Sequence, residues 1–189
     1  MVTRRNNRVL WLALLAILLI TGVYLLVTYW LQAVPPSSDL FGHLIGVFGF
    51  ILMLMTEILY SLRKRSRSAR WGRMSAWLDF HIFTGIVGPY MVLLHSAWNF
   101  KGLAGFSMLL TVLIVVSGFI GRYIYTAIPR TVDGAEIEAG LLESQVASLA
   151  AMRRWLGLWH SIHIPIGWVL FTTAFIHSGA ALYYATFMR

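Results

Sequence analysis

Cysteine is missing from all 189 positions, which excludes disulfides, iron–sulfur clusters, thiolate nucleophiles and covalently attached c-type haem. Neither a G-x-G-x-x-G turn nor a P-loop occurs, so the chain offers no cradle for a dinucleotide or a nucleotide phosphate. Charge is scarce at 12% of residues, and acidic charge is scarcest, with seven Asp and Glu against fifteen Lys and Arg. The net charge of +8 would suit nucleic acid on a soluble chain. Here the basic residues stand in connections beside apolar runs, and an anionic membrane surface accounts for them without nucleic acid.

Apolar residues fill the space that charge leaves. They make up 59% of the chain and mean hydropathy is +0.74, which places it among integral membrane proteins and suggests a single bundle. Five runs are long enough to cross a bilayer, at about residues 9–31, 40–62, 75–98, 105–126 and 159–184. The first is too long for a signal-peptide core and has no A-x-A site after it, which predicts an uncleaved helix. The fold expected is therefore all-α: five transmembrane helices, four of them in a bundle and one peripheral.

Basic residues cluster before the first run, between the second and third (residues 63–73), and between the fourth and fifth, whereas the alternate connections carry only Lys101 and the terminal Arg189. By the positive-inside rule the N-terminus is cytoplasmic and the C-terminus outside, in a plasma (inner) membrane. Residues 133–154 have their own helical spacing, in Ile137, Leu141, Leu142, Val146, Leu149 and Met152, with a capping-box-like Asp133 and Glu136. They predict an amphipathic helix on the cytoplasmic surface. Trp30, Trp77, Trp98, Tyr123, Tyr125, Trp159, Tyr183 and Tyr184 fall at span ends, where interfacial aromatics anchor helices.

The strongest pattern is a duplication. HIFTGIVGPYMVLLHS, from His81 to Ser96, is matched by HIPIGWVLFTTAFIHS, from His163 to Ser178. Each begins His-Ile, has a glycine four residues on (Gly85, Gly167), and sets its two histidines fourteen residues apart. Fourteen residues is two heptads, so both histidines of a stretch share one stripe of a helix, separated by about 21 Å at 1.5 Å per residue. The glycines remove side chains from that stripe, and Gly88 does so at its midpoint, making room for a flat group. The third and fifth spans run in the same direction, which puts His81 level with His163 and His95 level with His177. That is the geometry for two porphyrins, each iron held by one imidazole from either side.

A lone intramembrane histidine usually satisfies a hydrogen bond or relays a proton. Four in two matched pairs point to haem ligation, which gives each imidazole a partner and keeps it neutral. Haem propionates need cations, and Arg122, at the cytoplasmic end of the fourth span, is the best placed for the inner haem. Arg73, Arg153 and Arg154 are weaker choices, and Lys101 could serve the outer haem. His160 breaks the fourteen-residue frame and reads as a surface residue or a propionate partner. His43, near the outer end of the second span, reads as an interfacial histidine or the lining of an outer substrate or quinone site.

The His-x13-His pair on the third and again on the fifth span, with LLHSAW and FIHSGA at their outer ends, resembles the transmembrane core of ferric reductases and NADPH oxidases. The resemblance covers about residues 40–184 and implies two non-covalent b-type haems on His81, His95, His163 and His177, conducting electrons across the membrane. The cytochrome b of quinol:cytochrome c complexes shares the spacing, but its Pro-Glu-Trp-Tyr motif is not here. Bacterial cytochrome b561 is similar in size but spreads its ligands over more helices. The oxidases and reductases continue into a flavin and nicotinamide domain, whereas this sequence ends after the fifth span. The expectation is a di-haem electron-transfer subunit of a larger assembly, exchanging electrons with a quinone or with a cytochrome, flavoprotein or iron–sulfur partner. The alternatives are a stand-alone reductase of ferric chelates or superoxide-reacting enzyme, and a haem-free anchor or transporter.

Overall fold

The five apolar runs become five helices in the computed structural model, which describes residues 7–65, 72–127 and 143–187: α1 (Arg8–Leu31), α2 (Leu40–Arg65), α3 (Met74–His95), α4 (Gly102–Ala127) and α5 (Glu143–Phe187). All five are long and apolar enough to span a bilayer, and no strand occurs among the described residues. The protein is a multi-pass membrane protein whose outer faces meet lipid. Leu12, Leu15, Leu18, Leu19, Leu25 and Leu26 of α1, for instance, are all exposed. In hydrocarbon that costs nothing, and a helix satisfies its own backbone.

α2, α3, α4 and α5 form a four-helix bundle, with α1 outside it, its backbone closest to α3. The bundle's central cluster takes Met53 from α2, Leu110 from α4 and Leu170 from α5, flanked by Val92 of α3 and by Ile114, Ile166 and Phe171. A second cluster, Tyr24, Ile45 and Leu94, fixes α1 to the α2–α3 pair, helped by a hydrogen bond between Thr21 Oγ1 and Tyr90 Oη at 2.5 Å.

Two readings of the sequence change here. Residues 143–154 are not a separate surface helix but the first turns of α5, which continues unbroken to Phe187; residues 133–142 lie outside the described residues. The physical reason is that no proline interrupts Met152 to Trp159, and one glycine, Gly157, is too mild a break to stop a helix. At 45 residues α5 is about 68 Å long, more than twice the ~30 Å hydrocarbon core, so one end stands clear of the bilayer.

The second change concerns Gly88. It does not open the midpoint of α3 toward α5, because α2 occupies the space: a Cβ there would lie 3.0 Å from the Gly49 carbonyl oxygen and 3.0 Å from Met53 Cγ. Gly49 meets Gly88 reciprocally at 2.9 Å. These two glycines let the α2 and α3 backbones approach, as small residues do in membrane bundles. Gly88→Leu should force the seam apart and lower stability by about 1–3 kcal/mol. Thermal unfolding in detergent beside wild type measures this, and an unchanged midpoint would contradict the tight seam.

Candidate functional site

The backbones of α3 and α5, which carry the duplicated stretches, come no closer than 8 Å between Cα atoms at any described residue, and neither do those of α2 and α5. α2 and α5 meet only through long side chains, such as Phe50 with its ring centroid 6.4 Å from Phe171 and 5.2 Å from Phe175. Across the gap between α3 and α5 the histidines are paired. His81 and His163 are near enough for their charges to interact at one end, and His95 and His177 at the other. Between the two levels Leu170, seven residues from either histidine of α5, is 2% exposed and fills the middle.

Each level brings one imidazole of α3 near one of α5, between helices whose backbones stay apart. Direct helix packing would put the axes 8–10 Å apart, so a gap lined by imidazoles on both sides suits a flat ligand standing between them.

The ring nitrogens have been assigned by their surroundings. His81 Nδ1 lies 3.1 Å from the carbonyl oxygen of Thr56, and His95 Nδ1 lies 2.8 Å from that of Gly42. A carbonyl only accepts, so each Nδ1 carries the proton and each Nε2 keeps its lone pair, the state a metal-ligating histidine needs. His163 Nδ1 is 3.0 Å from Ser117 Oγ, a hydroxyl that also accepts from the Trp159 indole N–H at 3.0 Å. His177 makes no comparable bond among the described residues.

Both carbonyl acceptors come from α2. That is why α2 must lie so close to α3, and it gives the glycines of α2 their purpose. Gly46 is where the His95 ring packs: a Cβ at Gly46 would stand 2.6 Å from His95 Cγ and Nδ1. On the Thr56 side, Thr56 Oγ1 donates to Thr84 Oγ1 at 2.7 Å, and Thr84, 1% exposed, donates in turn to the Phe80 carbonyl at 2.9 Å. The His81 acceptor is thereby fixed against its own helix.

α4 does for α5 what α2 does for α3. Trp159 donates to the Ser117 carbonyl at 2.7 Å, lies over Gly121, where any Cβ would overlap its ring, and stacks on His163 with centroids 4.7 Å apart and planes at 31°. Gly118 faces His163 Cε1 at 3.9 Å from its would-be Cβ. Ser117, Gly118 and Gly121 thus form a cradle of small residues for a tryptophan and a ligand histidine. Trp159 is half-buried and packs on His163. Trp30, Trp98, Tyr123, Tyr183 and Tyr184 do stand exposed at helix ends.

The glycines of the duplicated frame part company. Gly167 faces open space but for Ile114 Cδ1 at 3.9 Å, whereas Gly85 turns toward Thr56 Cγ2 at 3.5 Å. Arg122 is partly buried on α4, one residue past the glycine that carries Trp159. His43 is exposed in the first turn of α2, its ring 6.5 Å from that of His95. Lys101 is exposed just ahead of α4, Arg73 caps α3, and Arg153 and Arg154 lie exposed on the early turns of α5. His160 is on neither ligand level but contacts Lys64 and Trp159.

Sequence reasoning missed Gly42, Gly46, Thr56, Ser117 and Gly121. The signal available was a run of small residues on the two spans without histidine pairs, at Gly42, Gly46 and Gly49 and at Ser117, Gly118 and Gly121.

No three or more His, Asp or Glu side chains converge among the described residues, so a bare ion needing that many protein ligands has no site there. A haem brings its own ring nitrogens and asks the protein for two imidazoles, which each level supplies. Set against family models, curated proteins and solved structures, the chain matches none.

Proposed function

We propose that this protein is a di-haem cytochrome b that carries electrons across the membrane as a subunit of a redox assembly. His81 and His163 hold the inner haem and His95 and His177 the outer, with the N-terminus cytoplasmic and the C-terminus outside in a plasma (inner) membrane. What supports the reading is that His81 lies near His163 and His95 near His177, at two levels of one bundle, with Nδ1 of three of the four within hydrogen-bond distance of a neighbouring oxygen. The reading is also what the sequence's resemblance to the membrane core of ferric reductases and NADPH oxidases implies.

A haem with both axial positions filled supplies one-electron exchange without an open site for oxygen. The chain's own part is orientation. α2 presents carbonyls to His81 and His95, α4 presents Ser117 to His163, and the apolar layer of Met53, Leu110 and Leu170 keeps water out between the levels.

The exchanging partner is a quinone or quinol, or a redox protein docked at one face. The exposure of His43 beside His95 favours, as a second reading, direct exchange with a soluble acceptor such as a ferric chelate at the outer edge.

Reconstitution into liposomes loaded with ferricyanide tests the conduit. Wild-type protein should pass electrons inward from an impermeant reductant, and His81→Ala and His95→Ala should each abolish the transfer. Wild-type vesicles that hold haem yet pass no electrons would overturn it.

A further inference from the structure

At one end of the bundle the two ligand helices are joined by a chain of side chains that no ligand role requires. The Tyr60 ring of α2 lies 4.7 Å from the His81 ring of α3. Lys64, one turn further along α2, holds its ammonium 6.0 Å from the Tyr60 ring centroid and 3.4 Å from His160 Nε2 on α5. The His160 ring is 4.6 Å from the Trp159 ring, which is 4.7 Å from His163. From one ligand histidine to the other the path runs His81, Tyr60, Lys64, His160, Trp159, His163. It forms an arch over the gap between α3 and α5, at the level of the first histidine pair.

The bonding within the arch fixes its chemistry. A lysine ammonium has donors only, so His160 Nε2 accepts and His160 Nδ1 carries the proton. That proton is donated to the Leu156 carbonyl at 3.0 Å. The imidazole is therefore neutral and anchored to its own helix, and it holds the ammonium by one of its three N–H bonds, leaving two for another acceptor. Lys64 is the single full charge among the arch's own residues; the Glu57 carboxylate, one turn before Tyr60 on α2, is also near enough to His81 for their charges to interact. Lys64 has aromatic rings as its neighbours on either side, and it is near enough to His81 for their charges to interact.

We propose that Lys64 is the binding site for a carboxylate, the propionate of the haem held by His81 and His163, and that His160 positions it. This rests on the haem reading above and deepens it. A porphyrin held on its two faces by His81 and His163 would have its carboxylates best solvated at the polar end of the span, where the arch closes the gap. Lys64 would supply the cation that such carboxylates need there.

The test is a potentiometric titration of the full-length protein, in wild type and in Lys64→Gln, Lys64→Arg and His160→Ala. The inner haem's wave is assigned by its loss in His81→Ala. Removing the ammonium leaves the carboxylate charge uncompensated and favours ferric iron. Lys64→Gln should therefore lower the inner midpoint alone, displacing electron sharing between the haems by about three- to tenfold, where tenfold is 59 mV for one electron.

Lys64→Arg should restore the potential, and His160→Ala should shift it the same way by less. Selective loss of the inner haem in Lys64→Gln supports the proposal equally. Two unmoved midpoints, or two moved alike, would make Lys64 an ordinary surface lysine and overturn the inference while leaving the di-haem reading intact. Wild-type protein without haem would instead overturn the reading beneath it.

Discussion

Gly46→Leu is expected to remove the outer haem and leave the inner one. The His95 ring occupies the space a side chain at Gly46 would take, its Cγ and Nδ1 only 2.6 Å from where the first carbon would stand. The ring is also held by the Gly42 carbonyl one turn earlier on α2, 2.8 Å from Nδ1. A leucine cannot share that volume, so either α2 retreats and the carbonyl bond breaks, or the imidazole swings out of line with His177.

Loss of such a supporting partner costs roughly ten- to a hundredfold in metal affinity, and the overpacking adds about 1–3 kcal/mol of strain. The inner pair depends on Thr56, ten residues away on α2, and should survive. Haem content per chain, by pyridine haemochrome, should fall from two toward one. Retention of two would mean that His95 is not fixed where the structure places it.

The mirror experiment acts through α4. In Gly121→Leu, the new side chain overlaps the Trp159 ring, which stacks on His163 and shares Ser117 with it. Displacing the indole frees His163 from both its stacking partner and its hydroxyl. The inner haem should be lost, or its low-spin absorption weakened, with the outer haem kept. Ser117→Ala removes only the hydroxyl and should give a milder version, weakening inner haem binding by roughly tenfold. If Gly121→Leu and Gly46→Leu deplete the same haem, the two-level architecture is wrong. One variant at each end, on helices that carry no ligand, separates a built site from a coincidence of histidines.

The sequence made the five spans legible because hydrocarbon thickness and backbone self-satisfaction leave a membrane helix little freedom of length. The fourteen-residue frame was legible for a related reason. Two heptads return a residue to the same stripe, and His81 comes near His163 and His95 near His177.

What could not be read was which neighbour each stripe faces. Gly88 looked like space for a ligand, but α2 fills it, since a glycine in a sequence marks a close approach without naming what approaches. Trp159 fitted the rule for interfacial aromatics, and only the placement of α4 showed it seated on Gly121 against His163. The break assumed between residues 154 and 159 rested on a change in composition, from amphipathic to apolar. Composition tells where a helix leaves the membrane, not where it ends, and α5 runs straight through. The arch through Tyr60, Lys64, His160 and Trp159 joins residues about a hundred apart in the chain, beyond any local pattern.

The central claim is that the paired histidines hold two haems. A reduced-minus-oxidised spectrum with haem quantitation on the purified protein, wild type beside His81→Ala and His95→Ala, measures it most directly. The account predicts two b haems per chain in wild type and one in each variant, with different haems remaining. A colourless protein purified with haem in supply, or a haem content that neither substitution changes, would contradict it.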